Sequence, residues 1–326
     1  MNCPVLHGEI IEIAEHSSSR LGKRLRVESA RSLNVLPADR RLADATSAYQ
    51  INGMTKGDDC IIIVSPPEFP DAVAENTSGS AVARSMLGAV LGEMIGMPLL
   101  TDRWHGRSYA LFPRLTGFSE NPVVLQAQKL WATPTIMSWL QDSFRQTAIE
   151  RGTKDIEHSF LAPLSVLSGD DDIPPKIRDA ARAAEHAVSG GQVKLVTCLA
   201  HNDFWLGNIM FERTTIPGMA PFRRQFRVID WAGCSIDGYP GFDAIRYLLS
   251  AYSRNSRRDR WFNAYCDATN LSRTDIATGC LCALGRIGGN LNQFPKAQFV
   301  ELSQAFHDFL EWNGSLERLR FHRPAL

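Results

Sequence analysis

The chain has 326 residues, which is long enough for two lobes with separate hydrophobic cores. Its 35 basic residues balance its 35 acidic residues, so a nucleic-acid-binding function is not expected, because affinity for a phosphate backbone needs a net basic surface. No run of about 18 apolar residues occurs, and the start of the chain lacks the pattern of a signal peptide, so neither membrane insertion nor secretion is predicted.

The cysteines indicate a reducing compartment. There are seven, an odd number, and they are scattered along the chain, which does not suit a disulfide framework. Cys280 and Cys282 have neither a second cysteine pair nor histidines at zinc-ligand spacing, so we interpret them as core thiols. A cytoplasmic protein is therefore expected, and the sequence does not indicate its oligomeric state.

The chain begins with the pattern of a mixed α and β lobe. Residues 8–16 place isoleucines against glutamates as in an amphipathic helix, and the serines at 17–19 are expected to end that helix. Strand-forming runs follow at 48–51 and 60–64, and the segment between them is rich in turn-forming residues. A β-hairpin is therefore predicted.

A helix and a further strand complete this first lobe. Residues 80–94 have helical spacing, which predicts a buried face formed by Val82, Met86, Val90 and Leu91. Residues 109–112 have strand character, and Pro113 ends the strand because proline cannot donate a hydrogen bond to a β-ladder. We predict a hinge at this point.

Beyond the hinge the chain is predicted to be mainly helical. Helical periodicity is found in four segments, at residues 121–140, 177–189, 242–252 and 299–312. Two short apolar strands, at 194–199 and 226–229, interrupt the helices. The expected fold class is α+β, with a first lobe of residues 1–113 and a second lobe of residues 114–326.

Polar residues follow both of these short strands in an order that suits phosphoryl transfer. Asp203 comes after the first strand and is the candidate base for a substrate hydroxyl group. Asn208 and Asp230 offer oxygen ligands of the kind that Mg²⁺ prefers. We therefore predict a magnesium-dependent site that uses ATP or GTP as co-substrate.

The same segments resemble the catalytic loop and metal-binding strand of the aminoglycoside phosphotransferase and choline kinase superfamily, which is related to the protein kinases. The pattern H-x-D-x-x-x-x-N is met by His201, Asp203 and Asn208, and the pattern I-D-W is met at 229–231. Asp243 resembles the carboxylate that braces the catalytic loop from a helix start in that family. The resemblance implies a two-lobed protein-kinase-like fold with a nucleotide-binding first lobe and a catalytic second lobe.

The resemblance also assigns supporting roles. It places Phe112 and Leu115 at the hinge, where the adenine ring would lie against the backbone. His201 is either a base or a structural brace, and the family favours the brace. Trp205 lies inside the catalytic loop, where an indole ring either stacks on a substrate ring or packs against the lobe.

The first lobe departs from the family in two respects. The lysine that usually holds the nucleotide phosphates is absent from the third strand, where Val64 or Ser65 occupies its position. Arg84, on the following helix, is our candidate for the missing positive charge. The loop that covers the phosphates has few glycines, and Thr46 and Ser47 are the candidates there for backbone contacts to phosphate.

The predicted function is transfer of the γ-phosphoryl group from ATP or GTP to a hydroxyl group of a small molecule. A neutral or phosphorylated sugar, or another hydroxylated metabolite, is preferred over a cationic aminoglycoside, because the sequence shows no acidic excess. Two alternatives remain open. The missing lysine favours a kinase-fold pseudoenzyme with a regulatory role, and an inverted nucleotide would make the chain an AMP-transferring enzyme.

Overall fold

The chain forms two compact units, in which its path returns from the second unit to the first. The first unit comprises residues 1–118 and 209–232, and the second comprises residues 119–208 and 233–326. The boundary expected from the sequence, at residue 113, did not include the returning segment. The computed structural model describes residues 4–22, 25–33, 46–53, 59–212, 226–291 and 294–320.

A five-stranded antiparallel sheet forms the centre of the first unit, with strand order β1-β2-β3-β5-β4. The predicted β2–β3 pairing and the strand that ends at Pro113 are both confirmed. β1 and β4 were not predicted, since their alternation of small, charged and apolar residues is weak. The strands are β1 (Leu25–Ser32), β2 (Ser47–Gly53), β3 (Cys60–Val64), β4 (Leu100–Trp104) and β5 (Arg107–Pro113).

The first helix, α1 (Pro4–Leu21), covers one face of this sheet. Its Ile10 and Ile13 pack with alternate residues of β2, β3 and β5, as the period of two in a strand requires. The expected end of the helix at residues 17–19 is wrong. Ser17 is fully buried and its hydroxyl donates to the Ile13 carbonyl at 2.6 Å, so the serine satisfies its own polar group within the helix.

The second helix, α2 (Ala72–Leu91), begins earlier than predicted and presents a different face. Val82 and Val90, expected to be buried, are 41% and 79% exposed. The prediction failed because it assumed an apolar contact face, whereas the contact face of this helix consists mostly of small and polar residues. Its buried residues are Val73, Thr77, Ser80, Ala83 and Leu87.

The second unit is mainly helical, and the four predicted helices are confirmed in it. They correspond to α3 (Pro122–Thr147), α5 (Pro175–Ser189), α6 (Phe242–Ala251) and α9 (Lys296–Trp312). The sequence patterns did not predict α4, α7, α8 and α10, of which the central α8 is buried along most of its length and therefore has little amphipathic periodicity. The additional helices are α4 (Ala162–Gly169), α7 (Asn255–Thr269), α8 (Arg273–Gly289) and α10 (Glu317–Arg320).

Short strands carry the candidate site residues. β7 (Val196–Ala200) lies between β6 (Ile149–Glu150) and β10 (Ser235–Gly238) in the second unit. β8 (Ile209–Phe211) pairs with β9 (Phe226–Val228) in the first unit. An antiparallel sheet with two helices in one unit and a mainly helical second unit confirm the α+β fold class.

Two further expectations concern the cysteines and membrane-spanning helices. The cysteines of the described residues are free, and Cys280 and Cys282 are completely buried, as expected for core thiols. Burial raises the pKa of Cys282 far above its ordinary value, so this thiol is chemically inert. In the part of the chain that the structure describes, no helix has the length and apolarity needed to cross a membrane.

Candidate active site

The loop that follows β7 is held at its base by a partly buried carboxylate. All five residues of β7 are buried, and the chain then turns through Asn202, whose φ of 66° is in the left-handed region that asparagine tolerates. Asp243, in the first turn of α6, accepts the backbone N–H groups of His201 at 2.7 Å and of Asn202 at 2.9 Å. This contact ties the start of the loop to α6.

Burial raises the pKa of Asp243, while His201 and the two backbone N–H donors oppose that rise. Asp243 is only partly exposed, and both of its carboxylate oxygens accept backbone N–H groups within the protein. Asp243 contacts both residues at the start of the loop, and its role as a brace stays a prediction.

His201 is also enclosed. Only 1% of its surface is exposed, and its Nδ1 atom accepts the backbone N–H of Asp203 at 3.2 Å. Its ring lies edge-on to Phe204, with ring centroids 5.8 Å apart. Because Nδ1 is used as an acceptor from the loop backbone, the position favours a brace over a base.

Asp203 is held by two side chains. The Asn208 amide donates to the Asp203 carbonyl at 2.9 Å and to its Oδ2 at 3.1 Å, and the Arg246 guanidinium donates to Oδ1 at 3.1 Å. The carboxylate nevertheless remains 48% exposed. It is therefore oriented by contacts within the unit and open to a ligand at the same time.

The orientation of Asn208 follows from its partners. Both of its contacts are oxygen acceptors, so the nitrogen of the amide faces Asp203 and the amide oxygen is directed elsewhere. Amide oxygens are suitable ligands for Mg²⁺. The residue is only 7% exposed, which restricts its side chain at the end of the loop that follows β7.

Asp230 belongs to the first unit and has a different setting. It follows β9 with a φ of 64°, and the carboxylate is exposed at the surface of that unit. Asn76, in the first turns of α2, donates its side-chain amide to Asp230 Oδ1 at 2.8 Å. Trp231 is buried beside it, with its indole N–H donating to the Val228 carbonyl at 3.0 Å.

A close contact between α2 and this segment sets the position of Asp230. A Cβ atom added at Gly79 would lie 2.2 Å from the Trp231 carbonyl oxygen, so the helix backbone rests directly on the Trp231 backbone. Glycine is required at this position for that reason. Gly79 and Asn76 are three residues apart and share one face of the helix.

The residues expected at the hinge lie at the end of β5. Phe112 pairs with Ile61 of β3, and strand alternation places both on the sheet face opposite α1. Leu115 is half-buried, and the next residue, Thr116, exchanges two backbone hydrogen bonds with Phe211 of β8.

The expected phosphate-covering loop is only partly described. Ser47 is not in a turn, because it is the first residue of β2 and pairs with Val64, and Thr46 precedes it as a half-buried residue. The turn prediction failed at this position because Tyr49 packs into the core beneath α1 and draws its neighbours into the sheet. The preceding residues, 44 and 45, lie outside the described residues.

The two positions where a phosphate-binding lysine was sought are both buried. Val64 packs in the core beneath α1, and the Ser65 hydroxyl accepts the Val73 N–H at 2.9 Å at the start of α2. Arg84 is exposed and has no ion-pair partner among the described residues. It lies eight residues beyond Asn76, which corresponds to about 12 Å along a helix axis.

Two residues of the site were missed from the sequence. Asn76 contacts a residue 154 positions away and Arg246 one 43 positions away, and neither contact leaves a local pattern. The position of Arg246, three residues after Asp243 on α6, carried a signal that could have been used. A helix that braces a loop with one residue presents the residue one turn later to the same loop.

Solved structures provide the comparison, since no family model matches the chain and no curated protein matches it by sequence. The chain is similar to a thermostable mutant of an aminoglycoside phosphotransferase in ternary complex with ADP and hygromycin B. The TM-score is 0.57, with 12% identity over 93% of this chain and 99% of that chain. The chain has the aminoglycoside phosphotransferase fold.

A second similarity leads to the same fold. A protein assigned as a fructosamine-3-kinase from Haemophilus somnus matches with a TM-score of 0.52 and 10% identity, over 91% of this chain and 96% of that chain. Both matches span nearly the whole length of each protein. The resemblance inferred from the residues that follow β7 is thus confirmed at the level of the fold.

Proposed function

We propose that the chain is a small-molecule phosphotransferase that moves the γ-phosphoryl group of ATP or GTP to a hydroxyl group. The observation that carries this proposal is the setting of Asp203, whose carboxylate is oriented by Asn208 and Arg246 and is still half exposed. A carboxylate used only for structure would be expected to have both oxygens bound to the backbone, as Asp243 has. A kinase-like fold around such a carboxylate supports the same reading.

In this proposal Asp203 accepts the proton of the acceptor hydroxyl as the oxygen attacks phosphorus. Asp243 and His201 hold the loop that presents it. Phe112 and Leu115 lie at the hinge and Thr46 and Ser47 near the phosphates. The first unit supplies the nucleotide-binding residues and the second unit the acceptor-binding residues.

The residues present suit a magnesium ion. Asn208 offers an amide oxygen and Asp230 a carboxylate, which is the hard oxygen donor set that Mg²⁺ prefers. Asn76 donates to Asp230 Oδ1, and the Asp230 carboxylate is exposed at the surface of its unit. When bound, the ion would neutralise charge on the nucleotide phosphates.

The first test is the replacement Asp203→Asn, which keeps the shape of the side chain and removes its basicity. We expect the transfer rate to fall about 100- to 10,000-fold, the usual contribution of a general base, while affinity for ATP is nearly unchanged. Transfer is assayed with a panel of hydroxylated acceptors that includes hygromycin B, fructosamines, and sugars with and without phosphate groups.

Asp179→Asn is the matched control, because Asp179 is an exposed carboxylate on α5 whose ion-pair partner among the described residues is Arg182. A fall of less than about tenfold for Asp203→Asn removes Asp203 from the role of base. Mass spectrometry of the product distinguishes phosphoryl transfer from AMP transfer. A parent protein that binds ATP and transfers nothing to any acceptor is a pseudoenzyme.

A second prediction concerns the nucleotide. Asp230→Ala removes a charged oxygen from the proposed magnesium site, so calorimetry is expected to show weaker binding of ATP in the presence of Mg²⁺ and little change in its absence. Arg84→Ala is measured in parallel, and a tenfold weaker affinity supports Arg84 as the substitute for the lysine. Equal affinity of the parent and Asp230→Ala means that Asp230 is not a ligand.

A further inference from the structure

The second unit contains a pocket whose charge is not explained by the catalytic loop. Its volume is about 660 Å³, within the range of small-molecule sites. Four of its lining residues are basic, and none of the described residues that line it is acidic. The basic residues are Lys129 of α3, Arg254 at the start of α7, and Arg257 and Arg258 within α7.

Lys129 is the most unusual of these residues. Only 8% of its surface is exposed, yet its ammonium group has no hydrogen-bond or ion-pair partner among the described residues. The ammonium nitrogen is not fully enclosed and can meet a ligand at the pocket, whereas a lysine with this little exposed surface is usually paired. Burial accordingly lowers the pKa of Lys129. An anionic ligand in the pocket would supply the missing partner.

The pocket is built on a rigid frame. The guanidinium of Arg258 donates to the carbonyls of Tyr252 at 2.6 Å and Leu249 at 3.3 Å, so this arginine joins the end of α6 to the start of α7. The Tyr252 hydroxyl donates to Thr133, one turn after Lys129 on α3, at 2.7 Å. These contacts hold the pocket walls in place before any ligand arrives.

Two arginines remain available for a ligand. The side chains of Arg254 and Arg257 are exposed at the pocket and form no ion pair with the described residues. α7 begins beside them without a side-chain cap, which leaves backbone N–H groups at its first turn. With Lys129, the pocket therefore offers three cations and a helix start to one anion.

The pocket adjoins the catalytic loop. Ser250, one of its lining residues, accepts the Leu206 backbone N–H at 3.1 Å, and Leu206 is three residues after Asp203. Arg246, one turn before Ser250 on α6, contacts the Asp203 carboxylate itself. One helix thus connects the wall of the basic pocket to the candidate base.

We propose that this pocket binds the phosphate group of the acceptor substrate, so that the acceptor is a phosphorylated, hydroxylated metabolite such as a sugar phosphate. This inference rests on the proposed function and specifies its substrate class. Lys129 and the two arginines hold the phosphate, and the hydroxyl group to be modified is presented to Asp203. A cationic aminoglycoside is disfavoured, because the pocket repels it.

The test begins with equilibrium binding, which does not depend on catalysis. Calorimetry compares glucose 6-phosphate, glucose and inorganic phosphate on the parent, Lys129→Met and Arg257→Gln. We expect glucose 6-phosphate to bind and each replacement to weaken it roughly tenfold or more, the loss for one charge-assisted contact. Arg260→Gln is the matched control, since Arg260 is exposed on the same helix and does not line the pocket.

Affinity for ATP with Mg²⁺ must stay unchanged in Lys129→Met and Arg257→Gln, since weaker nucleotide binding would assign the pocket to ATP and overturn the proposal. Equal binding of glucose 6-phosphate by the parent and both variants also overturns it. Because isomeric sugar phosphates share the same anionic group, the absence of any binding by glucose 6-phosphate, its isomers and inorganic phosphate counts against the pocket as well.

Kinetics with the accepted substrate then separate this inference from the proposed function. The pocket variants should raise KM for a phosphorylated acceptor at least tenfold and leave the rate of transfer to its dephosphorylated counterpart unchanged. If transfer requires Asp203 but is insensitive to Lys129 and Arg257, the proposed function stands and the pocket assignment fails. If phosphate binding requires Lys129 and Arg257 but no transfer requires Asp203, the proposed function fails, and the pocket's role as an acceptor site fails with it.

Discussion

Arg246 shows how one residue can affect catalysis without touching the nucleotide. Its guanidinium donates to Asp203 Oδ1 from α6, while Asn208 holds the other carboxylate oxygen. Removal of either partner leaves the carboxylate free to rotate. Small misplacements of a catalytic group cost up to about 100-fold in rate, so we propose that Arg246 is a positioning residue for Asp203.

We therefore predict that Arg246→Ala lowers kcat about tenfold or more, with affinity for ATP unchanged. Arg246→Lys should recover part of the loss, because a lysine restores the charge at this position but not the fixed planar geometry. Steady-state kinetics with the identified acceptor check both variants. Arg182→Ala, which removes an exposed arginine from α5, is the control. Equal kcat values for Arg246→Ala and the parent contradict the role.

The residues that sequence reasoning found and missed differ in the range of their contacts. His201, Asp203 and Asn208 contact one another within seven positions, so their spacing is fixed locally and forms a readable pattern. Asn76 and Lys129 depend on elements brought together only by the fold. The sequence alone predicts that Lys129 is an ordinary exposed residue of a helix, and only the structure shows that it is 8% exposed.

At the scale of elements, the contact of α2 with the Asp230 segment depends on one glycine. A Cβ at Gly79 would lie 2.2 Å from the Trp231 carbonyl oxygen, so an alanine would push the helix or the segment aside. We predict that Gly79→Ala destabilises the protein by about 1–3 kcal/mol, the usual cost of overpacking, and also weakens binding of ATP with Mg²⁺ because Asp230 is displaced.

The matched control is Gly8→Ala, also in a helix. Nothing lies within 4 Å of a Cβ added at Gly8, so this change should stabilise the protein by up to about 1 kcal/mol. Chemical denaturation and calorimetry on both variants measure stability and affinity. If Gly79→Ala leaves the free energy of unfolding unchanged or raises it, as expected for Gly8→Ala, the close contact of α2 with Trp231 is not present.

The elements themselves were predictable where burial alternates regularly. β3 buries every second residue and was predicted with its correct bounds, whereas α2 was predicted with the wrong face. Because α2 packs through Gly79, Ser80 and Ala83, its backbone lies close to the neighbouring segment but buries little apolar surface. Hydrophobic periodicity therefore predicted a buried face that includes Val82 and Val90, whereas the structure shows that both are exposed.

For the whole molecule, a net charge of zero argues against nucleic-acid binding, but it does not show how the charges are distributed. Acidic residues elsewhere in the chain balance the basic residues in the sum, which therefore conceals a pocket lined by four cations. The position of a charge matters more than the total, because opposite charges elsewhere on the surface are screened within about 8–10 Å. Composition could not have predicted the anion preference that we propose.

Lys129 also makes a prediction about the stability of the whole chain. Its pKa is lowered from the ordinary value of 10.5 by burial, so in the window between the lowered value and 10.5 the unfolded chain binds more protons than the folded protein. Stability should therefore increase as the pH rises through that window. At neutral pH the charged, unpartnered ammonium lowers stability.

Lys129→Met keeps the length and apolar stem of the side chain and removes the charge. We predict that the variant unfolds at an equal or higher temperature than the parent at neutral pH and loses the Lys129 contribution to the rise in stability at alkaline pH. Glucose 6-phosphate should raise the melting temperature of the parent, because it binds the folded state, and have little effect on the variant. A structural role predicts the opposite, since loss of a lysine that supports the fold lowers the melting temperature with or without the ligand. A lower melting temperature without the anion and a higher one with it would identify Lys129 as a residue that binds the ligand.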